Sequence, residues 1–304
     1  MSSAFLKVPD GTTLFYRVEG PEADDPGSPF VLCDGLGCDG FAWKHLAPFL
    51  AARHRVLRWH YRGHGRSSVP PDPTRVGMDF HCDDLARVMD AGGIERGLLF
   101  GHSMGVQVAL EFHRRHPERV SGLVLMCGSY GNPLDTFHDS TYLKRAFPYI
   151  RSAVERFPGP AAKVVHAVAS SRLAARVALT FEVNGKVLTE DDMAPYFAHL
   201  ACMDPVVFVR TLESLAAHTA EDHLPAVDVP TLVVGGEQDT FTPAWLSRRM
   251  AEAIPGAELF LLSGGTHTAP LEHPRAIEMR LERFLQEHAF APKPRRRRRA
   301  SRAR

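Results

Sequence analysis

The sequence has 304 residues, of which 44% are hydrophobic and 23% are charged. This length supports one substantial core and allows one or two domains. No apolar run of about 18 residues is present, so no transmembrane helix is predicted, and the N-terminal residues do not resemble a secretory signal. The five cysteines are odd in number and scattered, which favours reduced thiols in the cytoplasm over a disulfide framework.

The net charge of +1 conceals an asymmetry. Residues 291–304 hold eight of the 36 lysines and arginines and none of the 35 acidic residues, so residues 1–290 have 28 basic against 35 acidic side chains and a net charge of −7. Like charges and two prolines predict a disordered basic tail. Weak contact with nucleic acid or an anionic surface is one hypothesis for this tail. A solvated extension without a dedicated role is the other.

The chain begins with a predicted β-hairpin, residues 5–8 and 12–18 around a Pro-Asp-Gly turn. After a polar loop, short apolar runs alternate with glycine-rich turns and amphipathic segments. The strands predicted there are residues 30–33, 55–59, 97–100 and 120–127, and the helices are residues 41–52, 78–91 and the segment that ends at His116. Strands that alternate with helices imply crossover connections and a mostly parallel sheet.

This alternation stops after Tyr130. Up to about residue 224 the chain has helical character, with apolar residues at helical spacing and no convincing strand. Strands resume at 230–235 and 258–262, and residues 274–288 form a final predicted helix that begins with a proline. The predicted units are a core of residues 1–129 and 225–290, an inserted helical cap of residues 130–224, and the tail of residues 291–304.

Chemistry is indicated first by Gly101-His102-Ser103-Met104-Gly105, which lies between a predicted strand and a predicted helix. The pattern G-x-S-x-G is typical of a sharp strand-to-helix turn that lifts a serine hydroxyl out of a sheet. The helix N-terminus next to it favours developing negative charge. Ser103 is therefore the candidate nucleophile. The competing interpretation is a plain helix N-terminus with Ser103 as its capping residue.

A serine hydroxyl needs a histidine base, and the base needs an acid that holds its tautomer. After a nucleophile turn of this kind the acid comes next along the chain and the histidine last. Asp239 follows the predicted strand 230–235, and His267 follows the predicted strand 258–262. Each lies at a strand end on the edge of the sheet where Ser103 is expected. Glu237 is a competing acid nearer to its strand.

Two backbone N–H groups should stabilise the negative oxygen of an acyl-transfer intermediate. One is expected from Met104, the residue after the nucleophile. The other is expected from the loop Asp34-Gly35-Leu36-Gly37, with Leu36 the favoured donor. The glycines of this loop allow close approach of the backbone.

With these residues in order, the sequence resembles the α/β-hydrolase superfamily across nearly its whole length. The segments that carry the resemblance are Asp34-Gly35-Leu36-Gly37, Tyr61-Arg62-Gly63-His64-Gly65-Arg66-Ser67, Gly101 to Gly105, Gly236 to Pro243, and Gly264-Gly265-Thr266-His267 with Glu272-His273-Pro274. The resemblance implies a mostly parallel central sheet flanked by helices, with an inserted helical cap. It also implies a Ser103–His267–Asp239 triad, a small-molecule acyl substrate, and no metal or organic cofactor.

One residue departs from the pattern, because the superfamily usually has histidine where this chain has Asp34. A carboxylate that faced the oxyanion would oppose its charge, so Asp34 is expected to point away and to organise the loop by hydrogen bonds. An aspartate nucleophile, as in haloalkane dehalogenases and epoxide hydrolases, is excluded by Ser103.

The function expected from these observations is hydrolysis of a small or medium carboxylic ester or related acyl compound through an acyl-enzyme. Acyl transfer or carbon–carbon bond hydrolysis with the same triad is the first alternative, and a non-catalytic binding protein is the second. The cap aromatics either line an acyl pocket or simply pack between cap helices; they are Phe137, Tyr142, Phe147, Tyr149, Phe181, Tyr196, Phe197 and Phe208.

Overall fold

The computed structural model describes residues 2–21, 28–136, 142–171, 176 and 183–290. The predicted disordered tail, residues 291–304, lies outside the described residues. Within the described part, no helix is long and apolar enough to cross a membrane.

One sheet of eight strands forms the centre of the molecule, in the order β1-β2-β4-β3-β5-β6-β7-β8. The strands are β1 (Ser2–Lys7), β2 (Thr13–Glu19), β3 (Phe30–Cys33), β4 (Val56–Trp59), β5 (Gly97–His102), β6 (Val120–Met126), β7 (Thr231–Gly236) and β8 (Glu258–Leu262). The β1–β2 hairpin and its pairing with β4 are antiparallel, and the other pairings are parallel. The predicted hairpin and the mostly parallel sheet are both confirmed.

Helices pack against the sheet, and further helices form much of the described part of the segment after β6. They are α1 (Leu46–Ala51), α2 (Met78–Ala91), α3 (Met104–Arg115), α4 (Tyr142–Arg156), α5 (Pro158–Ala169), α6 (Glu190–Cys202), α7 (Pro205–Ala217), α8 (Ala244–Ala253), α9 (Ala269–Glu272) and α10 (Pro274–Glu287). Helices α4 to α7 occupy the stretch predicted as a cap, and its described residues contain no strand.

Two apolar clusters lie on the two faces of the sheet. One joins inward residues of α2, α3 and α8 to strands β3 to β7, and the other joins α1 and α10 to the opposite side of the same strands. The central strands are buried along their whole length, as is typical of parallel strands with helices on both faces. This leaves the carboxyl ends of the strands as the edge where polar loops collect.

The predicted helix 41–52 is divided in the structure, which is a correction to the sequence analysis. Phe41–Trp43 forms one 3-10 turn, and α1 begins only at Leu46. Pro48 supplies the physical reason, because it has no N–H and is tolerated only within the first turn of a helix. Helix α8, which lies between residues 235 and 258, was not among the helices predicted from the sequence.

Candidate active site

Ser103 lies at the corner between β5 and α3, where the chain turns from strand to helix with no intervening loop. Its backbone has φ 54° and ψ −115°, a region that residues other than glycine rarely adopt. Such strain costs on the order of 1–3 kcal/mol and persists only where the surroundings enforce it. A Cβ on Gly105 would lie 2.1 Å from the Cys33 carbonyl oxygen, so this glycine lets α3 start directly against β3.

The structure brings the three predicted side chains into one hydrogen-bonded line. His267 Nε2 lies 2.9 Å from Ser103 Oγ, and His267 Nδ1 lies 3.0 Å from Asp239 Oδ2. Glu237, the competing acid, is exposed, whereas Asp239 is buried against the imidazole. The Phe241 ring stacks on His267 with centroids 4.9 Å apart and covers one face of the imidazole.

Asp239 is held by donors other than the histidine. Its Oδ1 accepts the backbone N–H groups of Phe241 (2.9 Å) and Thr242 (2.8 Å), and its Oδ2 accepts the Thr242 hydroxyl at 2.7 Å. Burial by itself would raise the pKa of this carboxyl, but the nearby His267 and the Thr242 donors outweigh burial and lower the pKa. Asp239 is therefore an ionised carboxylate at neutral pH, fixed in orientation.

Glu272, for which the sequence predicted no role, organises the loop that carries His267. Its carboxylate accepts the backbone N–H of Thr266 at 2.8 Å and the hydroxyls of Thr266 and Thr268. It also accepts the backbone N–H of Asn184 from the cap segment at 3.0 Å. One buried carboxylate thus ties both the histidine loop and the cap to the same point.

His102, which directly precedes Ser103, has a supporting role that the sequence did not predict. Its Nε2 lies 3.0 Å from the backbone carbonyl oxygen of His267, and the two rings are 5.3 Å apart. Burial, reinforced by the neighbouring His267, lowers the pKa of His102 to about 4. The ring is therefore neutral at pH 7, and its Nε2–H donates to the His267 carbonyl. The sequence carried only one signal for this role, its position beside Ser103.

The predicted oxyanion donors lie on the two sides of the serine. Met104 is the first residue of α3, and Leu36 is in the turn that the Cys38 N–H closes onto the Gly35 carbonyl at 3.2 Å. Gly35 packs against the nucleophile, since a Cβ on it would lie 3.2 Å from Ser103 Cβ. Within the described chain, the N–H groups of Leu36 and Met104 donate to no protein acceptor. Both are therefore free to bind an oxyanion.

Asp34 is 2% exposed and is not part of the wall of the cavity beside Ser103. Its Oδ1 accepts no hydrogen bond from the described residues. Burial, assisted by the neighbouring Asp39 and opposed by Arg58, raises its pKa from 3.8 to about 7. The carboxyl group therefore lies outside the cavity wall, and the predicted network of hydrogen bonds around it is incomplete.

This raised pKa predicts a stability effect of Asp34→Asn that depends on pH. Between pH 4 and pH 7 the carboxyl ionises in the unfolded chain before it ionises in the fold, so the wild type loses stability over this range and the loss is complete above pH 7. The amide has no such loss. We expect the variant's gain in free energy of unfolding to grow from pH 4 to pH 8 by up to about 4 kcal/mol. Urea denaturation measures it, and a gain equal at both pH values would contradict it.

A cavity of about 540 Å³ opens beside Ser103 and His267. Of the aromatic side chains considered for an acyl pocket, four line it; they are Phe147, Tyr196, Phe197 and Phe208. Tyr142 and Tyr149 are about 80% exposed and do not line it, and Phe137 and Phe181 lie outside the described residues. Four of the eight cap aromatics therefore line the cavity, and the two exposed tyrosines neither line it nor are buried between cap helices.

The wall of the cavity is apolar and uncharged. Among its described residues there is no Lys, Arg, Asp or Glu. The polar side chains in the wall are mostly bonded to the protein already, because Gln107 donates to the Gly131 carbonyl, Thr268 donates to Glu272, and the Ser129 hydroxyl accepts the Gly131 N–H. A ligand here meets hydrocarbon surface and, at one end, the Ser103 hydroxyl. No cluster that could hold a metal ion occurs in the described part of the chain.

Comparison with known proteins identifies the family of this chain. A family model described as the alpha/beta hydrolase fold matches residues 28–274. The chain belongs to this family. One relative is a protein from Caulobacter sp. strain K31 that has the provisional name carbamate hydrolase RutD. It is 30% identical to this hydrolase over 278 residues, which cover 91% of this chain and 97% of the relative.

A second relative of this hydrolase is the 2-hydroxy-6-oxononadienedioate/2-hydroxy-6-oxononatrienedioate hydrolase of Cupriavidus pinatubonensis, 28% identical over 93% of this chain and 95% of the relative. Among solved structures, a hydrolase from Pseudomonas aeruginosa PA01 aligns with TM-score 0.74 and 26% identity over 93% of this chain and 98% of that one. A thermophilic esterase from Thermogutta terrifontis aligns with TM-score 0.76 over 95% of this chain and 99% of the esterase. Its sequence identity is 23%, so this likeness supports the fold alone.

Proposed function

We propose that this protein is a serine hydrolase that cleaves uncharged carboxylic esters with an apolar acyl group. The observation that carries the proposal is the hydrogen-bonded line from Asp239 through His267 to Ser103, which ends in an apolar cavity. A serine, a histidine and an ionised acid within hydrogen-bond reach are the parts that nucleophilic acyl transfer needs. The preformed geometry requires no cofactor for any of its steps.

The reaction begins when Ser103 Oγ attacks the ester carbonyl carbon and His267 Nε2 takes the hydroxyl proton. Asp239 holds Nδ1–H of the imidazole, so Nε2 has the free lone pair that accepts this proton. The N–H groups of Met104 and Leu36 bind the tetrahedral oxyanion. The imidazolium then protonates the leaving alcohol, and the acyl group remains on Ser103.

Water completes the cycle by the same groups. His267 takes a proton from a water molecule as the water oxygen attacks the acyl carbonyl carbon. His267 then returns this proton to Ser103 Oγ as the carboxylic acid leaves. The loop around His267 has to stay in place through both halves of the reaction. The bonds of Glu272 and the donation from His102 to the His267 carbonyl supply that support.

The names of the relatives suggest other substrates, a carbamate and a dicarboxylic dienoate. The dicarboxylate requires a cationic partner in the binding site, because an unpaired charge is costly to bury. The described wall of the cavity offers no such cation. We therefore favour an uncharged acyl chain over carbon–carbon cleavage of a dicarboxylate.

A matched set of p-nitrophenyl esters tests this function. The expected kcat/KM for the hexanoate exceeds that for an adipate monoester, which has the same acyl length and a free terminal carboxylate, by about 100-fold. The adipate methyl ester, of similar length and uncharged, should recover most of the difference. Labelling by a fluorophosphonate probe should report an activated serine in the same sample. No hydrolysis of any ester and no labelling would overturn the proposal, and preference for the free carboxylate would overturn the substrate class.

A further inference from the structure

The outer surface of the cap carries an exposed apolar patch on two consecutive helices. Tyr149 of α4 is 79% exposed, Phe157 between the helices is 55% exposed, and Val164 and Val168 of α5 are 62% and 55% exposed. The inner faces of the same helices are occupied, since Phe147 packs with Val209 of α7 and Ala169 is buried. These two helices and Phe157 are called the cap hairpin below.

The cap hairpin is also basic, on a body that is acidic. Residues 142–171 contain five lysines and arginines and a single acidic residue, whereas residues 1–290 as a whole have a net charge of −7. Arg145 and Arg156 share the exposed face of α4 with Tyr149, because they are four residues before it and seven after it. Lys163 is exposed on α5, next to Val164. The single acid, Glu155, is paired with Arg151 and Arg210.

One residue of α4 connects the cap hairpin with the cavity beside Ser103. Ile150 follows Tyr149 on α4, is 43% exposed, and at the same time lines the cavity. Ile150 therefore joins the edge of the cap hairpin to the wall of the cavity.

Aromatic and aliphatic side chains interleaved with cations on one helical face are the features of a helix that lies in a lipid headgroup region. From these observations we propose that the cap hairpin docks onto an anionic lipid surface. Phe157, Val164 and Val168 enter the interface, and Arg145, Arg156 and Lys163 contact the lipid phosphates. A second copy of the chain is a poorer occupant, because a symmetric dimer would place the same patch, and the same cations, against itself. The docking does not depend on whether Ser103 is the nucleophile.

The test compares two full-length variants of equal charge in vesicle binding. Arg145→Gln, Arg156→Gln and Lys163→Gln together neutralise the cap hairpin, and Arg53→Gln, Arg248→Gln and Arg283→Gln together neutralise three exposed residues of the core. On phosphatidylglycerol vesicles the cap variant is expected to bind at least about tenfold more weakly than the wild type, since each cation near a lipid surface contributes several-fold. The core variant should bind nearly as the wild type does. The wild type and both variants should bind phosphatidylcholine vesicles much more weakly than the wild type binds phosphatidylglycerol vesicles.

A fluorescent reporter localises the contact. In Phe157→Trp the introduced indole should shift its emission to shorter wavelength on phosphatidylglycerol vesicles and be quenched by brominated acyl chains. Met279→Trp, at a 73% exposed position of α10, is the matched control and should show neither effect. Hydrolysis of a short soluble ester should be unchanged in all these variants, because none of the positions lies in the proposed catalytic machinery.

Three results would overturn the proposal. Equal weakening by the cap and core variants would mean that only net charge matters. Binding that disappears when the eight basic residues of the tail are replaced by glutamine, with no quenching of the indole at position 157, would assign the lipid contact to the tail. Dimerisation in sedimentation velocity without vesicles, lost in the cap variant, would assign the patch to a second copy of the chain.

Discussion

Ser103→Ala is expected to lower kcat for an apolar ester by about 10⁴- to 10⁶-fold, because Ser103 Oγ is the hydroxyl that lies within hydrogen-bond distance of the base, His267 Nε2. KM should change little, since the hydroxyl adds almost nothing to the apolar surface that holds the substrate. Fluorophosphonate labelling should disappear. Retention of more than a tenth of the wild-type kcat on a p-nitrophenyl ester would show that Ser103 is not the nucleophile.

A matched variant at the same position separates chemistry from folding. The φ of 54° at Ser103 favours glycine, so Ser103→Gly should relieve backbone strain that Ser103→Ala retains. Both variants should be inactive, but Ser103→Gly should be the more stable of the two by about 1 kcal/mol in urea denaturation. If the alanine variant is inactive and as stable as the wild type, loss of activity cannot be attributed to unfolding.

The positions of the three predicted residues could be inferred from sequence for a topological reason. Ser103, Asp239 and His267 each follow a short apolar run, and parallel strands end on one edge of their sheet. Pairing of β5 with β6, of β6 with β7 and of β7 with β8 then brings the three loops side by side. Local signals sufficed because the sheet itself supplies the long-range contacts.

The support around these residues could not be inferred in the same way. Glu272 accepts an N–H from Asn184, which lies 88 residues away in the cap, and no local pattern connects the two positions. His102 is adjacent to Ser103, yet its bond reaches across 165 residues to the His267 carbonyl. The cap aromatics show the same limit, because Phe147 lines the cavity and Tyr149, two residues later, faces solvent.

Asp34 shows that a departure from a family pattern has to be judged in three dimensions. From the sequence alone, a carboxylate in the oxyanion loop is expected to repel the negative charge of the intermediate. In the fold the carboxyl group is buried outside the wall of the cavity and its pKa is raised to about 7, so at neutral pH the group is only partly ionised. The departure therefore bears on stability more than on the position of the oxyanion donors.

Asp239→Asn is the second variant with a large expected effect, and the hydrogen bonds around the carboxylate determine its outcome. Two backbone N–H groups, of Phe241 and Thr242, point at Oδ1, so the carbonyl oxygen of the asparagine must take that place. Its NH₂ group then replaces Oδ2, which faces His267 Nδ1 at 3.0 Å. An N–H donor there requires a lone pair on Nδ1 and leaves the proton on Nε2.

A histidine protonated on Nε2 cannot accept the proton of Ser103, so Asp239→Asn should lower kcat near pH 7 by about 10⁴-fold with little change in KM. Labelling by the fluorophosphonate probe should slow by a similar factor, because it uses the same activated hydroxyl. Glu237→Gln is the matched control, since Glu237 is an exposed acid two residues away, and it should retain wild-type activity. If instead Glu237→Gln were inactive and Asp239→Asn active, the acid would have been assigned to the wrong residue. Loss of activity in Asp239→Asn is the expected result, because the bonds from Phe241 and Thr242 fix the carboxylate with Oδ2 toward His267 Nδ1.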